Sequence, residues 1–177
     1  MRTSLTFDLY RAVCFDTETS GLGIDAEICE LSIISVFEER ELFKKILKTK
    51  NPIPPEITAI HGITNEQSQR ENTIQYYWDF LSGNLLNSKP VLGYNVFYDI
   101  KMLFQSYHVW EKEKQSFFNA SMVIDVMQLA KEHFRTSKYM SLKDSCIKAG
   151  LEFDEAKAHG SAYDTLMTIK LFKKIME

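Results

Sequence analysis

The chain has 177 residues, 45% of them hydrophobic and 25% charged, with a formal net charge of −3. That length and composition describe one soluble domain with a sizeable core and exclude long disorder. The charge excludes a protein that coats nucleic acid through a broad basic surface, though not an enzyme that grips a strand end. No apolar run is long enough to cross a bilayer, so no membrane partner is expected, and the N-terminal MRTSLTFDLYR lacks the apolar stretch of a signal peptide. Cys14, Cys29 and Cys146 form an odd set without CxxC spacing. They read as buried, reduced thiols in a cytoplasmic protein.

The apolar run Ala12-Val13-Cys14-Phe15 predicts a first strand over 11–16, buried on both faces. Residues 27–37, rich in Ile, Val and Phe, predict a second, and 39–48 a third, paired to it through a tight turn near Glu38-Glu39. Three prolines in NPIPP, 51–55, end that strand. PEITAIHG predicts a short helix with Pro near its start and Gly62 past its end, and Thr64 caps another short turn. Apolar residues at 74, 77, 78, 81 and 85 predict a helix over 73–86. Residues 90–94 predict a fourth strand, and 97–110 a helix with Ile100, Leu103, Phe104 and Tyr107 on one face. EKEKQ at 111–115 reads as a solvated turn or frayed helix end. Met122-Val123-Ile124 predicts the last strand, and Asp125 caps a helix over 126–134. Helices over 141–149, ending at Gly150, and over 161–176 complete the chain. Three consecutive strands, then strands alternating with helices, describe a single α/β domain over 1–177 with a mixed sheet and helices on its faces.

The first strand ends in acids. In CFDTETSG, Asp16 and Glu18 sit two residues apart. If the strand persists through residue 18, both carboxylates point to one side. Two like charges that close repel unless a proton or cation lies between them. Asp99, in GYNVFYD, and Asp164, in AHGSAYD, each fall early in a helix, where an anion is favoured electrostatically. Taken singly, each reads as structural or solvated. His159 lies five residues before Asp164, a step of about 500° that would put them on different faces of a continuous helix. Gly160 lets the chain bend between them, so a loop histidine and a helix-start aspartate can converge.

The order Asp-x-Glu (Asp16, Glu18), Asn-x-x-x-Asp (Asn95, Asp99) and His-x-x-x-x-Asp (His159, Asp164) resembles the DEDDh 3′-to-5′ exonucleases, which include the proofreading epsilon subunit of bacterial DNA polymerase III. FDTETSGL, IHGIT at 60–64 and VIDVMQLAK at 123–131 extend the resemblance from about residue 11 to residue 175. It implies an RNase H-like mixed five-stranded sheet flanked by helices. It also implies two Mg²⁺ ions, replaceable by Mn²⁺, held by Asp16, Glu18, Asp99 and Asp164. Hard cations suit carboxylate oxygens, and a metal pair can clamp the attacking and leaving oxygens of a phosphodiester. By the same resemblance Asp16 bridges both ions, and His159 is the general base toward the attacking water. An imidazole's ordinary pKa of about 6.5 suits that role.

Weaker signals surround these motifs. By resemblance Thr17 and the turn Thr19-Ser20-Gly21-Leu22 border the terminal nucleotide, with Gly21 allowing close backbone approach; a plain strand-to-loop turn reads as well. His61 contacts the substrate end or interacts with its helix terminus. Asn95 positions the helix or strand end, and Tyr94 stands where a His often precedes it in the epsilon-like pattern. Asp125, which also opens a helix, is assigned to capping. Lys44, Lys45, Lys48 and Lys50 hold a phosphate backbone or form a solvated sheet edge. Phe97, Tyr98 and Trp110 stack on bases or belong to the core.

The resulting expectation is a metal-dependent exonuclease acting on the 3′ end of single-stranded or frayed DNA and releasing nucleoside 5′-monophosphates. An RNA-trimming enzyme of the same family shares every motif, since a metal site reads phosphates and only 2′-hydroxyl contacts separate the two nucleic acids. A weakly active module docked on a polymerase is the other alternative. The five active-site side chains, and an end at Lys173-Lys174-Ile175-Met176-Glu177 without a tether, favour a stand-alone enzyme.

Overall fold

A computed structural model describes residues 8–87, 90–107 and 123–177, with no side-chain detail for 85–87. The expectations for Trp110, for residues 111–115 and for Met122 fall outside the described residues. Within them, strand β1 spans Val13–Thr19, β2 Ile28–Ser35 and β3 Glu41–Ile46. The turn between β2 and β3 places Glu39 at φ 52°, with its N–H donating to the Ser35 carbonyl at 2.9 Å. Helix α1, Pro55–His61, starts on proline and stops at Gly62, whose φ of 78° is the left-handed cap that glycine adopts without strain. Helix α2, Asn65–Gln69, opens on a reciprocal capping box between Thr64 and Gln67.

The single helix expected over 73–86 is two elements, a 3-10 turn at Ile74–Tyr77 followed by α3, Trp78–Asn87. Tighter turns at helix starts are common, and in this one the Gln75 side chain donates to the carbonyl of Ser106 at 2.9 Å. Strand β4, Val91–Gly93, leads into α4, Val96–Tyr107. Strand β5, Val123–Asp125, leads into α5, Val126–His133, with Asp125 capping it by accepting from the Met127 N–H. Helix α6, Leu142–Lys148, is capped by Ser141, and the long α7, Ser161–Met176, closes the described chain.

The five strands form one mixed sheet in the order β3-β2-β1-β4-β5. β1 and β2, and β2 and β3, pair antiparallel; β1 and β4, and β4 and β5, pair parallel. All eight residues of β2 are buried, as a central strand covered on both faces requires. On one face Val13, Phe15, Leu31 and Ile33 pack against Leu81 of α3 and Ile100 and Leu103 of α4. On the other, Cys14, Ile34 and Leu92 pack against Val126 and Ala130 of α5 and Ile169 and Phe172 of α7. All three cysteines are buried and free, as expected.

The sheet geometry positions the acids. β4 pairs with β1 only at Val13 and Cys14, so one edge of β1 is open from Phe15 onward. On the other edge β2 carries β1 through Glu18, opposite Glu30, before the register slips. β1 thus runs beyond its parallel neighbour at the strand ends, the part of open α/β sheets that binds ligands.

Candidate active site

β1 extends through Thr19, so Asp16 and Glu18 share the face covered by α7. Asp164, in the first turns of α7, comes down on them. One carboxylate oxygen from each of Asp16, Glu18 and Asp164 lies within 4.8 Å of the others, and all three residues are only half-buried. Asp99 approaches from α4 and is 3% exposed. Its Oδ1 accepts from the Thr17 N–H at 3.1 Å and the Thr17 hydroxyl at 2.6 Å, at the edge of β1 that β4 leaves open. Asp99 is thereby fixed beside the three-acid group rather than within it.

The charges act on one another. Asp16 is held well above the usual carboxylate range by burial first, then by the charges of Asp99, Glu18 and Asp164. Glu18 is pushed up to about 8 by burial and by Asp164. Asp99 rises to about 7 through burial, against the pull of its hydrogen bonds from Thr17. Burial also raises Asp164, against the His159 N–H. Among the described residues, Asp164 Oδ1 is one of two buried side-chain oxygens without a hydrogen-bond partner. An oxygen left so costs about 1–3 kcal/mol or more. A divalent cation would meet both demands, offering the orphan oxygen a partner and neutralising the crowded acids. The donor set is all carboxylate oxygen, which fits Mg²⁺ or Mn²⁺.

His159 precedes α7 at φ 62°, and its backbone N–H donates to Asp164 Oδ2 at 3.2 Å. The bend expected at Gly160 therefore lies at His159 itself. The residue is exposed, and a pocket of about 360 Å³ opens beside it, lined by Asp164, Lys143, Phe153 and Glu155 among others.

A family model described as an exonuclease, RNase_T, matches residues 13–172. The chain belongs to this exonuclease family. The exonuclease CP81 of Escherichia phage 186 is 32% identical over 168 residues, covering 89% of this chain and 84% of its own. The epsilon subunit of DNA polymerase III from Pasteurella multocida is 26% identical; the match covers 87% of this chain but 63% of that subunit. Among solved structures, exonuclease X in complex with 5′-overhanging duplex DNA superposes with a TM-score of 0.69 at 22% identity, over 93% of this chain and 90% of that one. The RNase domain of yeast Pop2 gives 0.70 at 14% identity, over 93% and 76%. These superpositions place the fold among RNase H-like exonucleases, as the motif order implied. The chain is thus a nuclease, a hydrolase of phosphodiesters.

Around these acids the weaker expectations fare differently. The hydroxyls of Thr19 and Tyr98 lie 2.9 Å apart, and both reach the Gly21 carbonyl, at 2.9 and 3.2 Å. Tyr98 therefore clasps the turn to α4. Leu22 is 80% exposed at the tip, and a Cβ on Gly21 would meet nothing within 4 Å. That turn is exposed. Both ring nitrogens of His61 have internal neighbours: Nδ1 accepts from the Ile63 N–H at 3.0 Å, and Nε2 lies 3.5 Å from Cys29 Sγ. Asn95 sits at φ 60°, and its N–H donates to Asp125 Oδ1 at 3.0 Å, tying the β4–α4 turn to the β5–α5 turn. The Tyr94 hydroxyl lies within hydrogen-bond reach of the Met140 and Ser141 carbonyls and Ser145 Oγ, at 2.7 to 3.0 Å, so it anchors the start of α6. Phe97 is exposed and Tyr98 half-buried.

Glu30 and Ser161, which belong to none of the motifs, also border the acids. Glu30 accepts from the N–H and hydroxyl of Ser161. An acid inside the apolar run of β2, at a position facing the same side as Asp16 and Glu18, was the available signal.

Proposed function

We propose that this chain is a metal-dependent 3′-to-5′ exonuclease that removes nucleoside 5′-monophosphates from single-stranded or frayed DNA, working in the cytoplasm. The observation that carries the reading is the convergence of Asp16, Glu18 and Asp164 within 4.8 Å, with Asp164 Oδ1 lacking any donor. Asp16, Glu18 and Asp164, with Asp99 beside them, would hold Mg²⁺ or Mn²⁺. Bound there, the cations supply an acidified water and charge neutralisation at the phosphodiester. His159 takes the proton of the attacking water; its backbone is pinned to Asp164 while its ring is at the surface. Attack at phosphorus breaks the bond to the 3′ oxygen of the preceding nucleotide. The products are a 5′-monophosphate and a strand one residue shorter with a free 3′-hydroxyl. Thr17 holds Asp99 in place through two hydrogen bonds. Thr19, Gly21, Leu22 and Asn95, with the His61 region behind them, border the terminal nucleotide.

The DNA complexes among its structural neighbours, with a 5′-overhanging duplex and with dA16, support DNA as substrate. A second reading, RNA trimming, is supported by the equally good superposition on an RNase domain. The likeness to an epsilon subunit supports a polymerase as partner. Chromatography of products from a DNA oligonucleotide tests the reaction. Nucleoside 5′-monophosphates are expected; nucleoside 3′-phosphates or internal fragments as main products would overturn it.

A further inference from the structure

Glu30 is a buried acid that the hydrolysis does not use. It is 7% exposed and lies directly across the β1–β2 ladder from Glu18. A carboxylate there adds negative charge beside a site already crowded with it, which is adverse unless something specific compensates. Three groups do. Its Oε2 accepts from the Ser161 N–H at 3.1 Å and the Ser161 hydroxyl at 2.7 Å. Its Oε1 lies 3.9 Å from Nζ of Lys44 on β3. Lys44, read from sequence as a backbone contact or edge charge, is thus tied to this acid.

Ser161 is the first residue of α7 and fully buried, and Gly160 before it offers no side-chain cap. Glu30 supplies the missing acceptor from a neighbouring strand, where the positive end of the helix dipole also favours a carboxylate. Two residues before Ser161 is His159, a non-glycine residue at positive φ; three after it is Asp164. A residue in that backbone conformation stays there only when its surroundings over-determine it.

We propose that Glu30 is a positioning residue: by anchoring Ser161 to the sheet it sets His159 and Asp164 against Asp16 and Glu18. The proposal rests on the carboxylate-site reading above. Its test uses Glu30→Leu, which keeps the approximate size but removes the acceptor, and Ser161→Ala, which loses only one of the two donors. Mn²⁺ affinity is measured by electron paramagnetic resonance, alongside kcat and KM on a 5′-labelled DNA oligonucleotide and thermal melting.

Glu30→Leu is expected to melt cooperatively, bind Mn²⁺ about 10–100-fold more weakly and lose kcat with KM little changed, as loss of outer support to metal ligands does. Ser161→Ala is expected to show a smaller loss in the same direction, and the double variant to be no worse than Glu30→Leu alone. Wild-type Mn²⁺ affinity and kcat in Glu30→Leu, or fully additive losses in the double variant, would overturn the anchor. Should Glu30→Leu fail to fold, Ser161→Ala decides, and unchanged Mn²⁺ affinity in it overturns the anchor. A wild-type chain whose Mn²⁺ affinity depends on Glu30 but which shortens no nucleic acid would support the anchor and overturn the exonuclease reading.

Discussion

At Glu18 burial and the charge of Asp164 combine to hold a proton that an unfolded chain would release. Its pKa rises from the ordinary 4.5 to about 8 in the folded chain without metal. A raised folded-state value contributes stability that is complete below pH 4.5 and lost as pH climbs to 8. In EDTA, Glu18→Gln should therefore gain stability relative to wild type between pH 5 and pH 8. Calorimetric melting across that range checks the sign; a constant difference would mean Glu18 is not crowded. His159 presents the other residue-scale prediction. His159→Ala should lower kcat about 10²–10⁴-fold, the usual share of a general base, while Mn²⁺ affinity changes little. A kinetic measurement paired with Mn²⁺ titration separates that from a damaged metal site.

Among the elements, the β4–α4 junction shows how tightly the fold constrains the site. A Cβ on Gly93 would lie 2.8 Å from Val96 Cγ2 and 3.1 Å from the Phe15 carbonyl oxygen. Val96 begins the helix that carries Asp99. Gly93→Ala should cost about 1–3 kcal/mol and lower activity by displacing Asp99 from Thr17, seen as a reduced denaturation midpoint and a reduced kcat together. Element starts and stops carried by local chemistry were legible in the sequence: Pro55 and Gly62 around α1, Thr64 before α2, Asp125 before α5. The run-on of β1 to Thr19 was not, because it depends on β2 pairing with it through Glu18 opposite Glu30. Nor was the break at Tyr77, where the Gln75 side chain bonds Ser106 from 31 residues away.

For the whole molecule, the acids are legible because their motifs follow one another in order, but their partners are not. Asp16, Glu18, Asp99 and Asp164 each stand at a recognisable place in sequence. Thr17 holding Asp99, Glu30 holding Ser161 and Tyr94 turning to α6 are contacts between distant segments that no spacing encodes. A site assembled from β1, α4 and α7 and closed by a cation should also stabilise the whole domain. Mg²⁺ at a hundredfold its dissociation constant adds about 2.7 kcal/mol, or roughly 5–10 °C in melting temperature for a chain of this size. Asp16→Ala should abolish that shift; an equal shift in the variant would place the ion elsewhere.

Metal-dependent exonuclease activity is tested by incubating matched 5′-labelled DNA and RNA oligonucleotides with Mg²⁺ and either wild type or Asp16→Ala. A ladder shortening from the 3′ end is expected in wild type alone, faster on DNA. No ladder on either nucleic acid with Mg²⁺ or Mn²⁺, or an equal ladder in the variant, would contradict it.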